Sequence, residues 1–428
     1  MRSVREPWLK YIKWYTGVGL EAELVCESCA EERSDGQSTS VGLVCEECFE
    51  NITSEFCYPV RTGGKPEIRV RADSFNTSLT ETSIPKECGS VVDLAPIEAD
   101  NVSVWLLLAE SGDIYRFDAV EQVAIKVASS NVPLESDREP WAGRVLRRRL
   151  HASRSGEFVA VVNDYGRYGE IIDLGSGDVT LLLDGDEYHP NTVPFSFAFA
   201  EQGNRILAIH RTAWNRLDIS DAATGELLTD RGPTSYQGKV RPEHYLDYFH
   251  GALYLSPSGK NILNDGWVWH PVGVPVIWSV ERWLVDNVWE SEDGPTKKNV
   301  CARDYYWDHG FVWLNDNTLA VAGIGDDDEL MIDGVRIIDI EEGKAGHWRS
   351  DRSWAKEIMT FPGPAGKFFA ADNCLYSSDD TGLSRWDFKA GVRTGYLKDF
   401  SPTHHHRSAG ELVQVKDGQL IRWSTTET

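Results

Sequence analysis

No run of apolar residues in this sequence approaches the length needed to cross a bilayer, which argues against a helical membrane span. The opening stretch MRSVREPWLKYIKWYTG has scattered charge and lacks the apolar core and small-residue cleavage site of a secretory signal. Positive charge is scarce: 43 Lys and Arg face 67 Asp and Glu, a net charge of −24. Phosphate neutralisation needs concentrated cations, so a broad nucleic-acid-binding face is not expected, and an anionic membrane surface is disfavoured for the same reason. No nucleophile elbow, phosphate loop or catalytic metal motif occurs. Cysteine is also sparse, 8 in 428 residues, and four of these form two tight pairs. That usage suits a metal better than a disulfide framework and points to the cytoplasm. Cys57, Cys88, Cys301 and Cys374 are scattered and read as reduced thiols without a role.

The two pairs sit in nearly the same hexapeptide, LVCESC from Leu24 to Cys29 and LVCEEC from Leu43 to Cys48. Two residues between sulfurs let both thiolates of a knuckle face one ion, and two knuckles complete a tetrahedron at about 2.3 Å per zinc–sulfur bond. Cys26, Cys29, Cys45 and Cys48 are therefore the expected ligands of one Zn2+, each pair entered from a short strand ending in LV, with a thiol redox pair or an iron–sulfur cluster as the lesser alternatives. Four thiolates close the coordination sphere, so the ion is expected to be structural. The module resembles the zinc-ribbon and treble-clef families.

Before it, Trp8, Tyr11, Ile12 and Tyr15 recur at helical spacing behind Pro7, as one apolar helix face. RTGGKP, Arg61 to Pro66, reads as a linker, dividing the chain into a module over 1–63 and a second domain over 64–428. Beyond it come short apolar runs such as EFVAVVND, RILAIHR, NTLAVAG and KFFAADN, separated by Gly, Asp, Asn and Ser. These are strands bounded by turns. A strand-end mark recurs as YRFD at Asp118, EIID at Asp173, NRLD at Asp218, VIWS at Ser279, RIID at Asp339, SRWD at Asp387 and IRWS at Ser424, about 51 residues apart on average. A multi-strand unit with that period predicts an all-β fold, a β-propeller whose count of marks favours seven blades; six or eight stay open because the gaps around residue 279 have room for insertions.

SRWDFKAG and EIIDLGSG resemble the third strand of a WD-repeat-like bacterial β-propeller blade, and LYLSPSGKNIL resembles the turn between its first two strands. The resemblance covers roughly 66–428 and implies that His151, His250 and His309 take that family's structural histidine position. The last blade lacks an outer strand, and the alternating EIRVRADSF, Glu67 to Phe75, is the expected donor, locking the ring at its ends.

Other clusters have competing readings. His404–His406 alternate faces if on a strand, which disfavours a shared metal. GIGDDDELMIDG, with Asp326 and Asp328, suits either calcium or, more simply, a solvated hairpin. Arg144, Arg147, Arg148 and Arg149 suit a phosphate, an acidic partner or a charged strand edge. Trp267, Trp269, Trp278, Trp283 and Trp289 suit sugar stacking or filling between blades. The first functional reading is a non-enzymatic protein-interaction scaffold, the propeller as platform and the zinc module as a second contact, with a protein partner and a monomer sufficing. The second is an enzyme or small-ligand receptor using the central funnel through Arg211, Asp304, Asp308 and His309. A third is a bacterial conflict or signalling component whose acidic surface captures a basic partner.

Overall fold

The computed structural model describes residues 24–25, 32–33, 37–39, 42–44, 67–98, 102–135, 140–269, 271–344 and 353–426. The chain divides into two compact units, Met1–Glu67 with Lys344–Trp354, and Ile68–Gly343 with Ala355–Thr428. In the smaller unit Leu24–Val25 pairs with Glu32–Arg33, and Gln37–Thr39 pairs with Gly42–Val44. A strand thus ends directly before Cys26 and another directly before Cys45, as the repeated LVC predicts. The four cysteines, the stretch from Trp8 to Tyr15 and the Arg61–Pro66 linker lie outside the described residues.

The larger unit is an all-β propeller of antiparallel meanders. In chain order these are Val91–Pro96, Val104–Ala109, Asp113–Asp118 and Val123–Ser129; then Arg147–Ala152, Phe158–Asp164, Tyr168–Asp173 and Val179–Asp184. Phe197–Gln202, Arg205–Ala213 and Arg216–Asp221 follow, extended by a bridge from Ser220 to Leu227. A ten-stranded sheet holds the next two meanders. One is Phe249–Leu255, Asn261–Val268, Val276–Ser279 and Lys298–Asn299; the other is Phe311–Asn315, Thr318–Ile324, Ile332–Lys344 and Ser353–Pro362. Lys367–Ala371, Cys374–Asp379, Gly382–Asp387 and Val392–Lys398 come next. His404–His406, Glu411–Lys416 and Gln419–Ser424 end the series and take Thr80–Ser83 as outer strand.

That last pairing corrects the expected closure. Thr80–Ser83, not Glu67–Phe75, completes the final sheet, with Leu420 opposite Thr82 and Ile421 opposite Glu81. The earlier segment instead makes an isolated parallel bridge from Val70 to Arg393, and Arg71 pairs with Asp73 and Asp387. The cause is the demand of an outer strand: only one side needs burial, and Thr82 alone supplies it at 2% exposure.

Apolar alternation in the strands fills the space between neighbouring meanders, where a fully buried Leu, Ile or Val contributes about 1.5–3 kcal/mol. Leu106, Leu108 and Ile114 meet Leu150, Val159 and Ile172 between the first two. Leu94, Trp105 and Phe117 meet Val413 and Leu420 where the last returns to the first. The recurrent Asp marks have a local cause. Asp118, Asp173 and Asp387 each accept backbone N–H groups of the turn leaving the third strand, whereas Asp339 lies within its strand, Ile332–Lys344, and accepts from the Glu341 amide. In the third meander that role falls to Asp221, which accepts from Ala223 and Thr224, rather than to Asp218. Ser279 caps a short helix, Val280–Val285, inserted where the turn would be.

First strands of successive meanders pack against one another and line the axis. Because strands alternate in direction, the connection entering each first strand and the turn between each second and third strand emerge at the same end of the ring. This end is the entry face.

Candidate functional site

The entry face carries a continuous aromatic stack. Gly251 lies at a pairing irregularity, and a Cβ there would stand 2.0 Å from the Asp265 carbonyl oxygen. Only glycine permits that approach, and it sets the Phe249 ring face-on to Trp267, centroids 4.2 Å apart. Trp267 stacks on Trp307 at 5.0 Å and Trp307 on Trp141 at 5.2 Å. The Arg144 guanidinium covers both outer rings, 5.0 Å from Trp141 and 4.7 Å from Trp307. Beyond Phe249 the stack continues to Tyr188 at 5.8 Å, Trp214 at 4.6 Å and Trp269 at 5.4 Å. The indole nitrogens of Trp267 and Trp307 donate to the Thr192 side chain and carbonyl at 3.3 and 2.9 Å, which fixes ring orientation. Trp267 and Trp307 are buried, whereas Tyr188 is 44% and Trp269 41% exposed. The stack therefore has an anchored interior and a solvent-facing end.

Beside it lies a polar cluster. Tyr165 donates its hydroxyl hydrogen to Asp308, and the Asp308 amide donates to Asp265 at 2.7 Å. Asp164 is fully buried and receives Arg149 at 2.9 Å and Arg147 at 3.4 Å. Asp93 receives His404 at 3.0 Å and the Leu150 amide at 2.8 Å. Burial acts upward on the Asp93 carboxyl, but the His404 bond and charge outweigh it and hold the group at about 2. Burial, with the Asp308 charge second, raises the Tyr165 phenol. Tyr165, His189, Tyr305 and Asp308 all have left-handed backbone, with φ of 62°, 49°, 55° and 64°. Each costs roughly 1–3 kcal/mol, and such strain gathers where a side chain must be aimed.

Of the funnel candidates, Asp308 and His309 belong to this cluster. The His309 ring stacks on Tyr306 at 3.4 Å, and burial followed by Arg303 and Arg144 drives its proton affinity down to about 3. Asp304 lies at the turn with Asp326 and Asp327, where burial and those two carboxylates raise it. Arg211 is buried over Phe195 and donates to the Gly166 carbonyl at 2.8 Å. The three histidines take different partners: His404 bonds Asp93, His405 packs edge-on to Phe369, and His406 bonds the Val104 carbonyl. Asp326 pairs with Arg336 at 3.0 Å, and Asp327 caps the 328–330 turn of a hairpin. Among the described residues no group of His, Cys, Asp or Glu has metal-site geometry.

Trp267 and Trp269 join the stack, whereas Trp278 and Trp283 fill a core between meanders and Trp289 stacks on His244. Sequence reading missed Trp141, Tyr188, Trp214, Phe249, Trp307, Tyr165 and Asp265. Their shared signal is position: Trp141, Tyr188 and Trp307 precede first strands, while Tyr165 and Trp214 follow second strands. At the opposite end of the axis, a cavity of about 550 Å³ is lined by Glu98, Arg154, Ser155, Glu201, Arg407 and Ser408.

Asp265 supplies a pH test. Burial lifts its carboxyl from 3.8 to about 7, with Arg303 opposing and Asp308 adding. A raised folded-state value means its contribution is complete below 3.8 and lost as pH climbs through about 7. Asp265→Asn keeps the acceptor for the Asp308 amide without the charge. Its urea midpoint relative to wild type is expected to rise between pH 5 and pH 8; a difference that stays constant would refute the assignment.

No protein-family model matches the chain, and no curated protein matches it. Among solved structures, the chain is similar to a chain from "Crystal Structure of Mitotic Checkpoint Complex". The two share 14% identity over 87% of this chain and 98% of that one, at a TM-score of 0.50. The likeness supports a β-propeller fold. With 1006 solved chains matching, it identifies the architecture and no individual role. Among the described residues no helix is long and apolar enough to cross a membrane.

Proposed function

We propose that this chain is a non-enzymatic protein-interaction scaffold: a seven-bladed ring, two blades drawn from the ten-stranded sheet, whose entry face docks another protein. One observation carries the reading, the aromatic stack that is anchored at Trp267 and Trp307 and reaches solvent at Tyr188 and Trp269. Rigid aromatics lose little entropy on binding and dominate protein interfaces, and Arg144 over the Trp rings adds the other residue type enriched there. The similar chain was itself solved within a complex. In the same reading the four-cysteine module holds one structural Zn2+ and gives a second contact, supported by the strands that lead into each cysteine pair.

Affinity capture tests this with three forms: the intact chain, Tyr188→Ala with Trp269→Ala, and a chain beginning near Gly64. Loss of two exposed anchors is expected to weaken the specific partner by about 2 kcal/mol or more, and truncation to weaken it further. A partner retained equally by all three forms would refute the proposal.

A further inference from the structure

The cavity opposite the entry face is built from one kind of position. Glu98, Arg154 with Ser155, Glu201, and Arg407 with Ser408 lie at the end of the first strand, or in the turn after it, of the first, second, third and last meanders, which are neighbours around the ring. These turns are held in place by contacts of their own. The Glu98 amide donates to the Arg154 carbonyl at 2.9 Å, and Ile97 lies so close to Gly156 that a Cβ there would stand 2.9 Å from it. His406 is fully buried and accepts the Ala409 amide on Nδ1 at 3.3 Å, so its Nε2 donates to the Val104 carbonyl at 3.2 Å. That bond pins the Arg407–Ser408 turn to the first meander. The lining charges divide unevenly. Arg154 engages Glu98 at 3.5 Å. Arg407 and Glu201 make no ion pair or hydrogen bond through their side chains among the described residues. The cavity thus has a free cation on its last-meander side, a free carboxylate on its third-meander side, and a matched pair between them.

We propose that this cavity binds a short peptide with both ends free, its terminal carboxylate on Arg407 and its terminal ammonium on Glu201. The four lining charges sum to zero, so a ligand of one sign loses to one wall what it gains from the other, whereas a zwitterion satisfies both. A planar guanidinium fork matches a carboxylate in particular. A single amino acid carries both charges on one carbon, too close together to serve walls with two meanders between them; each further residue extends the reach by up to about 3.3–3.6 Å. A volume of about 550 Å³ falls within the range of small-molecule sites, about 300–1,000 Å³. Ser155, whose oxygen accepts the Glu157 amide, keeps its hydroxyl hydrogen for a peptide carbonyl. The site lies at the other end of the axis from the aromatic stack, so its loss would leave docking at the entry face intact.

Ligand-observed NMR titration of the full chain with triglycine at neutral pH is expected to show saturable binding at one site. N-acetyl-triglycine lacks the ammonium and triglycine amide lacks the carboxylate; each should bind at least about tenfold more weakly, the loss of one charge-assisted hydrogen bond. In Arg407→Gln the amide should bind as well as triglycine does, and in Glu201→Gln the acetylated peptide should, because each variant removes the charge that tells the two apart. Both side chains are exposed, so both variants are expected to melt as wild type does, which separates lost binding from misfolding. No saturable binding of triglycine, equal binding of the capped peptides by wild type, glycine bound as tightly as triglycine, or discrimination that survives in the variants overturns the proposal.

Discussion

Arg231→Met is expected to cost about 3–5 kcal/mol of stability, the largest loss of any single ring substitution considered, because it removes the guanidinium that two buried carboxylates share. Arg231 lies between Asp218 at 2.5 Å and Glu292 at 2.6 Å, with all three side chains no more than 2% exposed. Arg216 reaches Asp218 at 2.8 Å, and the Thr212 and Thr229 hydroxyls donate to it. The network joins the Arg216–Asp221 strand to Glu290–Asp293, the short helix inserted before Lys298–Asn299. Burial acts to raise Asp218, but Arg216, Arg231 and Thr212 together hold it below the ordinary carboxylate range. In wild type, that lowered value contributes stability above the unfolded-state value that is lost as pH falls through the folded one. Without Arg231, Asp218 keeps Arg216 and the two Thr hydroxyls but loses one of the charges that hold it low. The deficit of the variant should therefore be full near neutral pH and shrink as pH falls below about 4 in urea denaturation, and Asp218→Asn with Glu292→Gln should recover part of it. A pH-independent loss under about 1 kcal/mol, as for an exposed pair, would contradict the account.

The second large effect concerns the amino-terminal module. The purified chain is expected to contain one zinc ion, and Cys26→Ser with Cys45→Ser to lose it. Structural zinc contributes apparent folding free energy of about 10–16 kcal/mol in small modules, which lack a sufficient core of their own. Amide exchange over residues 20–60 should rise sharply in the variant. The ring, sealed by its own Thr80–Ser83 strand, should keep its unfolding transition. Metal-free protein with unchanged exchange would contradict the zinc assignment.

Local chemistry is what the sequence made legible. Asp173 accepts from Gly175 and Ser176, so both partners lie within three residues and the mark can be read directly. Asp218 misled for the same reason. It ends a tetrad of the right form, but Asp221 three residues later makes the turn, while Asp218 is held by Arg231 and Glu292 lies beyond the inserted helix. Closure was missed because TETS shows no apolar alternation, while EIRVRADSF does and still lies largely exposed, with Val70 at 63%. The entry face is the least local feature. Trp141 meets Trp307 only because the ring brings distant connections to one axis. Position within the repeat identifies such residues once the strands are known; residue type alone does not.

The most direct test of the scaffold account is amide exchange on the complex of the intact chain with its captured partner. Protection is expected over the connections and turns that carry Trp141, Tyr188, Trp214, Trp269 and Tyr305. Protection confined to the outer strands, or to the opposite end around Arg154 and Arg407, would contradict docking at the entry face.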